Sequence, residues 1–243
     1  NNKKAPFDNV NIRKALNLSL DRNVITDKVL GQGQTPTYVF TPTYIEEGHL
    51  IQQPAYSKEP MAQRNEEAIK LLEEAGYSKA NPLKFSILYN TNENHKKVAI
   101  AAASMWKANT KGLIDVKLEN QEWKTYIDSR RAGRYDAARA GWNADYNQAT
   151  TFGNYFLSNS SNNTAKYANP EYDKAIAESY VATDAEGRAK AYAKAEEILA
   201  KDFGIVPIFN YVNPRLVKPY VKGYSGKDPQ DHIYLRNLYI IKH

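Results

Sequence analysis

The sequence has 243 residues, 42% hydrophobic and 25% charged, a composition typical of a globular protein with one or two domains. Its net charge is +6, but lysine and arginine alternate with glutamate and aspartate along the predicted helices, which argues against the clustered basic stripe of a nucleic-acid-binding protein. The absence of cysteine excludes thiol catalysis, disulfides and cysteine-ligated zinc, and no apolar run approaches the ~20 residues of a membrane helix.

The amino-terminal part is predicted to form two short helices. The chain starts with Asn1-Asn2-Lys3-Lys4 in place of an initiator methionine, so we expect a mature or proteolysed piece of a longer protein. From Phe7 to Gly33 apolar residues recur at helical spacing; Asp8 or Asn9 is expected to cap the first helix and Asp21 the second.

A long irregular connection is predicted from Thr35 to Pro60, because this stretch contains four prolines and no periodic pattern. Ordered connections of this length often line sites in compact domains. The aromatic residues Tyr38, Phe40 and Tyr44 therefore have two readings. They face a ligand or, as is more common, they fix the loop to the core.

Helices and strands alternate through the middle of the chain, which predicts an α/β fold with a mixed sheet built from βαβ units and flanked by helices. The predicted elements are helix Arg64 to Ala75, strand Leu83 to Tyr89, helix Asn94 to Ala108, strand Leu113 to Leu118, helix Gln121 to Ala132 and strand Asp136 to Trp142. Ligands of such sheets lie at the carboxyl ends of the strands. We therefore expect Asn90 to His95 and Trp142 to Asn147 at one edge, with His95 near Arg139.

The last third of the chain is less regular. Asn143 to Tyr167 is polar and predicts loops, whereas the pattern of the residues after it predicts two helices and two strands. The helices are Tyr172 to Val181 and Asp184 to Lys201, and the strands are a buried one at Gly204 to Tyr211 and a terminal one at Ile233 to Ile241.

The stretch from Asp136 to Phe152, DAARAGWNADYNQATTF, is interpreted as the wall of a binding site. Its small residues allow another backbone to approach, as recognition of a peptide by strand addition requires. Gly141 to Asn143 would supply main-chain groups, and Arg139 and Asp145 would supply charges for the peptide termini. The alternative is that Asp145 is only a turn residue and Arg139 belongs to a solvated strand face.

The sequence predicts no metal, no cofactor and no catalytic centre. Asn143, Asp145 and Asn147 have the spacing of a calcium loop, but the required glycine and closing glutamate are replaced by Gln148 and Asn154. The four histidines lack the paired spacing of a zinc site. No nucleophile, base and orienting acid can be assembled by spacing, so we do not expect an enzyme.

Five separated segments resemble, in order, the extracytoplasmic solute-binding proteins of peptide ABC importers. They are FDNVNIRKALNLSLDRNVI, LENQEWKTYIDSR, ARAGWNADYN, SSNNTAKY and the ending RLVKPYVKGYSGKDPQDHIYLRNLYIIKH. The resemblance covers nearly the whole chain and implies a parent about twice as long.

The resemblance implies that residues 1–210 form the carboxyl-terminal lobe of a two-lobed, type II-like periplasmic binding protein. Residues 211–243 would return to the first domain, which the amino-terminal part of the same protein would form. The expected ligands are short oligopeptides, bound in extended form between the lobes and delivered to the permease subunits of an ABC transporter. Related importers use this fold for murein peptides, haem or other solutes, so a different ligand is the alternative.

The resemblance also assigns roles to individual residues. Asp145 would bind the α-ammonium group, Arg139 and His95 would meet the carboxylate of peptides of different lengths, Gly141, Trp142 and Asn143 would pair with the peptide backbone, and Trp123 and Tyr211 would shape side-chain pockets or touch the backbone. Leu30 stands where the family leads us to expect a lysine for longer peptides, so that carboxylate contact is in doubt. Asn143 stands at a position where the family allows cysteine.

Overall fold

The structure is a computed structural model that describes residues 1–226, 228 and 230–242, so Lys227, Pro229 and His243 of the predicted terminal segment lie outside the described residues. The helices are α1 (Val10–Leu18), α2 (Met61–Glu74), α3 (Glu93–Asn109), α4 (Trp123–Arg131), α5 (Thr150–Gly153), α6 (Pro170–Val181) and α7 (Ala185–Lys201). The strands are β1 (Thr35–Pro36), β2 (Leu83–Asn90), β3 (Ile114–Gln121), β4 (Ala137–Ala138), β5 (Phe209–Asn210), β6 (Val221–Lys222) and β7 (Tyr239–Ile240). Short 3₁₀ turns cover Ala55–Lys58, Asn154–Phe156 and Leu235–Asn237.

The central sheet has three parallel strands in the order β3-β2-β4. β2 is the middle strand, and most of its side chains are buried, as expected for a strand covered on both faces. Its register with β3 runs from Leu83 opposite Ile114 to Asn90 opposite Gln121. The predicted α/β class with flanking helices is therefore confirmed, and the antiparallel pairs β1-β5 and β6-β7 form separate small sheets.

Local sequence signals account for the ends of the helices. The Asn92 side chain accepts from the main-chain N–H of His95 at the start of α3. The predicted cap at Asp21 is confirmed, because its carboxylate accepts from the N–H of Val24 at 3.2 Å. The second predicted helix is π-helical over Val24–Leu30, and Gly31 ends it with a left-handed φ of 62°.

Two large hydrophobic clusters form most of the core, and a small third cluster contains Leu88, Tyr126 and Tyr135. The first joins α1, α2 and α3 to the central sheet, and half-buried Leu30 packs against it. The second joins the loop residues Val39, Ile45 and Ile51 to α5, α6 and α7. Side chains of both large clusters line one cavity between them.

The predicted buried strand from Gly204 to Tyr211 is wrong in length, because only Phe209–Asn210 is a strand, paired with β1. Pro207 has no N–H to donate. Two main-chain carbonyls of this segment accept from distant side chains in place of a neighbouring strand. Arg22 Nε donates to the oxygen of Pro207 at 2.7 Å, and Asn17 Nδ2 donates to that of Ile205 at 3.0 Å. The segment is half-buried and lines the cavity.

Two other predicted strands are also shorter than expected. In the stretch from Asp136 to Trp142 only Ala137–Ala138 pairs with β2, and one further bond from the N–H of Arg139 to the oxygen of Leu88, at 2.8 Å, ends the contact. The chain then leaves the sheet. In the stretch from Ile233 to Ile241 a 3₁₀ turn precedes β7.

Candidate functional site

The cavity between the two clusters has a volume of about 920 Å³. Its floor includes apolar side chains of the first cluster, such as Ile87 and Trp106, and aromatic side chains of the second, such as Phe40 and Tyr155. The stretch from Asp136 to Ala144 lines it continuously. The predicted binding wall is therefore the wall of a real cavity, of a size typical of ligand sites.

Three predicted residues follow the carboxyl ends of the three parallel strands. His95 lies in the first turn of α3 just after β2, Trp123 begins α4 just after β3, and Arg139 directly follows β4. Because parallel strands end at the same edge of a sheet, this topology brings the three segments together. The tyrosine hydroxyl of Tyr126, on α4, donates to the carbonyl oxygen of Arg139 and ties two of these segments to each other.

Arg139 is the positive charge of this edge. Its Nη2 donates to the hydroxyl of Tyr211 at 2.6 Å, and its guanidinium lies 5.5 Å from the centre of the Tyr211 ring. Within the described residues Arg139 forms no ion pair with a carboxylate. The guanidinium is therefore available to an anionic ligand.

His95 lies close enough to Arg139 for the guanidinium charge to affect its pKa. Burial, and secondarily the positive charge of Arg139, lower the pKa of His95 from 6.5 to about 4. Its Nδ1 lies 2.7 Å from Oδ1 of Asn90, an acceptor, which favours the neutral tautomer with the proton on Nδ1. The expected proximity of His95 and Arg139 is confirmed, and the ring is neutral at pH 7.

Position 141 requires glycine because the Tyr211 side chain lies against its backbone. A Cβ atom at this position would lie 1.8 Å from the hydroxyl oxygen of Tyr211 and 2.6 Å from its Cζ. Within the described part of the chain, the main-chain N–H groups of Gly141, Trp142 and Asn143 donate to no protein acceptor. This short segment therefore offers open main-chain donors beside the Arg139 guanidinium.

Asp145 is an exposed carboxylate held in one orientation. Thr151 Oγ1 accepts from the main-chain N–H of Asp145 at 3.1 Å and donates to its Oδ2 at 3.2 Å. Among the residues that the structure describes, no lysine, arginine or histidine pairs with it. Asp145 can therefore accept a cationic group from a ligand.

Two tryptophans have different surroundings. Trp142 is half-buried and packs edge-on against Tyr155 with ring centres 5.0 Å apart. Trp123 is 61% exposed and leans on Tyr126 with ring centres 5.7 Å apart. An aromatic surface so exposed at the sheet edge is available to a partner or ligand.

The cavity does not include every predicted site residue. Its lining includes Arg139, Gly141, Trp142, Asn143 and Tyr211 and omits Asp145, His95 and Trp123. The three omitted residues nevertheless adjoin it through neighbours. Asp145 follows Ala144 of the lining, and His95 and Trp123 share the sheet edge with Arg139.

Sequence reasoning missed Arg130 as a cavity residue. Its guanidinium is buried, lines the cavity, and donates to the Tyr155 hydroxyl at 3.1 Å and to the Thr164 hydroxyl at 2.7 Å. Its position four residues after Tyr126, on the inward face of α4, is the signal that would have found it.

The described residues contain no group of three histidine or acidic side chains able to hold a metal ion. Within the same residues no helix combines the length and apolar character that a membrane crossing needs.

Comparison with known proteins decides the family. Residues 1–164 match the model of the bacterial extracellular solute-binding proteins, family 5 Middle. The chain belongs to this family. Over 243 residues it is 98% identical to the periplasmic oligopeptide-binding protein OppA of Haemophilus influenzae and 44% identical to the periplasmic murein peptide-binding protein MppA of Escherichia coli.

The similarity extends to solved structures of the family. The crystal structure of Haemophilus influenzae OppA in complex with RPPGFSPFR matches with a TM-score of 0.93 and 98% identity, over 100% of this chain and 47% of that chain. The alignments with the two relatives also cover 100% of this chain but only 45% of theirs. The chain thus spans about half the length of the curated relatives that it matches.

Proposed function

We propose that this chain is part of a protein that binds short oligopeptides in extended form between two lobes and delivers them to the permease of an ABC importer. One observation carries the proposal: an unpaired guanidinium, three open main-chain donors and an unpaired carboxylate follow one another from Arg139 to Asp145. The relatives support it, since one is an oligopeptide-binding protein by name and its crystal structure contains a peptide.

The ligand is held mainly by its backbone and its two ends. Its main chain pairs with Gly141 to Asn143, and its α-ammonium group pairs with Asp145. Its carboxylate meets Arg139 or, in peptides of another length, His95, whose Nε2 must take up a proton to donate to it because Nδ1 already faces Asn90. Buried charges are costly unless they are paired. Side chains, in contrast, are tolerated in roomy hydrated pockets, which Trp123 and Tyr211 help to shape. This division of roles selects for length and free termini more than for sequence.

The proposed division into lobes follows the resemblance to the family, and the exposure of the terminal segment supports it. Residues 1–210 form the carboxyl-terminal lobe, and residues 211–243 return to a first domain formed by the amino-terminal part of the same protein. Exposed apolar side chains in the terminal segment support this assignment, including Leu216 (104% exposed) and Leu235 (76%). The permease partner and the periplasmic location rest on the family and on the names of the relatives.

Calorimetry on the full-length protein tests the ligand class. Tripeptides to pentapeptides should bind stoichiometrically and without hydrolysis, whereas N-acetylated versions should bind weakly because acetylation removes the ammonium group. Asp145→Ala should lose about 2 to 5 kcal/mol of binding free energy for free peptides. It should lose little for the acetylated ones.

The outcomes separate the alternatives. If acetylated and free peptides bind equally, the ammonium role of Asp145 is refuted. Strong binding of haem or a murein peptide with no binding of ordinary peptides would favour a different solute. Release of free amino acids above a blank would indicate an enzyme.

A further inference from the structure

Two buried contacts fix the loop between β1 and α2 to the helix α7. The first is made by Glu196, which is 4% exposed. Its carboxylate accepts from the main-chain N–H groups of Phe40, at 3.0 Å, and of Thr41, at 2.9 Å, and from the Thr41 hydroxyl at 2.5 Å. These three bonds satisfy the carboxylate and hold the loop at Phe40 and Thr41.

The second contact holds the other end of the same turn. The Glu47 side chain, 8% exposed, accepts from Arg188 Nε at 2.6 Å and from Gln148 Nε2 at 2.9 Å. The carbonyl oxygen of Glu46 accepts from the N–H of Ala149 at 2.9 Å. The loop is therefore anchored on both sides of the residues between Thr41 and Glu46.

Tyr44 lies between these anchors and is 74% exposed. The next residue, Ile45, is 5% exposed and belongs to the second hydrophobic cluster, so the backbone at this point is fixed while the Tyr44 side chain is directed outward. Within the described residues the Tyr44 side chain forms no hydrogen bond and no ring contact. It does line the cavity, together with Trp142 and Asn147.

An exposed aromatic ring on an anchored loop suits ligand contact. A tyrosine offers a large contact surface and loses little side-chain entropy on binding. Because the backbone is already held by Glu196 and Glu47, ordering the loop adds little cost when a ligand arrives. The predicted alternative, that this aromatic residue fixes the loop to the core, applies to Phe40, which packs on Phe152 and Phe156, and not to Tyr44.

We propose that Tyr44 is a specificity-determining residue whose ring packs on an apolar or aromatic side chain of the bound peptide. This inference rests on the proposed peptide-binding function. It predicts that a site selecting mainly for peptide ends also prefers an apolar side chain at one position along the ligand.

The test uses the full-length protein and five ligands: tetra-alanine and the four tetrapeptides in which one alanine is replaced by phenylalanine. Calorimetry measures each with the parent protein, Tyr44→Ala and Tyr44→Phe. Tyr44→Ala should weaken binding of one phenylalanine isomer, or two neighbouring ones, by about 2- to 12-fold, the range expected for an aromatic pair. Tetra-alanine should stay within twofold, and Tyr44→Phe should behave as the parent.

Tyr180→Ala is the matched control, because Tyr180 is also an exposed tyrosine, at 60%, but does not line the cavity. It should leave all five affinities unchanged. Arg188→Met releases the Glu47 anchor and should weaken the same phenylalanine isomer that Tyr44→Ala weakens, without affecting tetra-alanine.

The outcomes separate this inference from the proposed function. If the parent binds the peptides and Tyr44→Ala binds all four isomers as the parent does, the inference is overturned and the proposed function stands. Equal losses for every ligand, tetra-alanine included, with a lowered unfolding temperature would show that the ring packs on protein and would also overturn it. If the parent binds none of the peptides, both fail.

Discussion

Replacing Gly141 with alanine perturbs the site where the Gly141 backbone lies against the Tyr211 ring. The added Cβ would lie 1.8 Å from the Tyr211 hydroxyl oxygen, 2.6 Å from Cζ and 2.9 Å from Cε2, whereas real Cβ contacts below 3.0 Å are essentially never seen. The φ of Gly141 is not in the left-handed region, so the substitution costs space and not backbone strain. The Tyr211 ring must therefore move.

We expect that movement of the Tyr211 ring to weaken peptide binding more than it destabilises the fold. Tyr211 is 39% exposed and can turn toward solvent, so we expect a stability loss near the lower end of the ~1 to 3 kcal/mol typical of overpacking. The moved ring gives up its 2.6 Å hydrogen bond from Arg139, and the guanidinium is no longer held toward the ligand carboxylate. A binding loss of about 1 to 3 kcal/mol, or about 5- to 150-fold, follows.

The assay combines peptide calorimetry with thermal unfolding of the full-length protein. Gly141→Ala, Tyr211→Ala and the double variant form a double-mutant cycle. If the clash is the mechanism, the double variant binds as Tyr211→Ala alone does, since no ring remains to be displaced. Parent-like affinity of Gly141→Ala, or a double variant whose loss equals the sum of the single losses, would refute the steric reasoning.

Three further predictions concern ionisable side chains. Arg139→Ala should weaken some peptide lengths more than others, and calorimetry with tripeptides to pentapeptides would contradict its role if every loss were equal. The pKa of His95 is lowered from 6.5 in the unfolded chain to about 4 in the folded one, so between these pH values the unfolded chain binds one more proton and the free energy of unfolding should fall as the pH falls. Urea titrations of His95→Gln should show a weaker dependence of the free energy of unfolding on pH. An identical dependence in the variant and the parent would contradict the assignment. In Glu196→Gln one of the two carboxylate oxygens becomes an amide NH2 group that faces the N–H of either Phe40 or Thr41, so chemical denaturation should show a loss of about 1 to 3 kcal/mol in the free energy of unfolding. Unchanged stability would mean that the carboxylate is dispensable.

The sequence predicted best what depends on local periodicity. The strand from Leu83 and the helix from Asn94 were predicted within a few residues, because each follows from the spacing of its own apolar residues. Topology predicted that His95 lies near enough to Arg139 for the guanidinium charge to lower its pKa, since both residues follow the carboxyl ends of parallel strands. Neither inference needed contacts between distant segments.

What the sequence did not predict depends on such distant contacts. The segment before Tyr211 has a strand-like pattern, but Arg22 and Asn17, far away in the chain, take up its carbonyls and replace strand pairing. The need for glycine at position 141 arises from Tyr211, which no local window contains. The role of Arg130 in the cavity likewise depends on Tyr155 and Thr164, which lie 25 and 34 residues further along the chain.

Under the proposed function, the arrangement of charges along the wall predicts a preference for peptides with both ends free. Arg139 and Asp145 each lack a partner of opposite charge in the described chain, and water solvates both while the site is open. A second lobe closing over them would remove that water, and an unpaired charge then becomes costly. A ligand that brings both an ammonium and a carboxylate leaves neither charge unpaired, whereas a ligand blocked at one end leaves one. Blocking either terminus should therefore weaken binding by a comparable amount, and blocking both should abolish it.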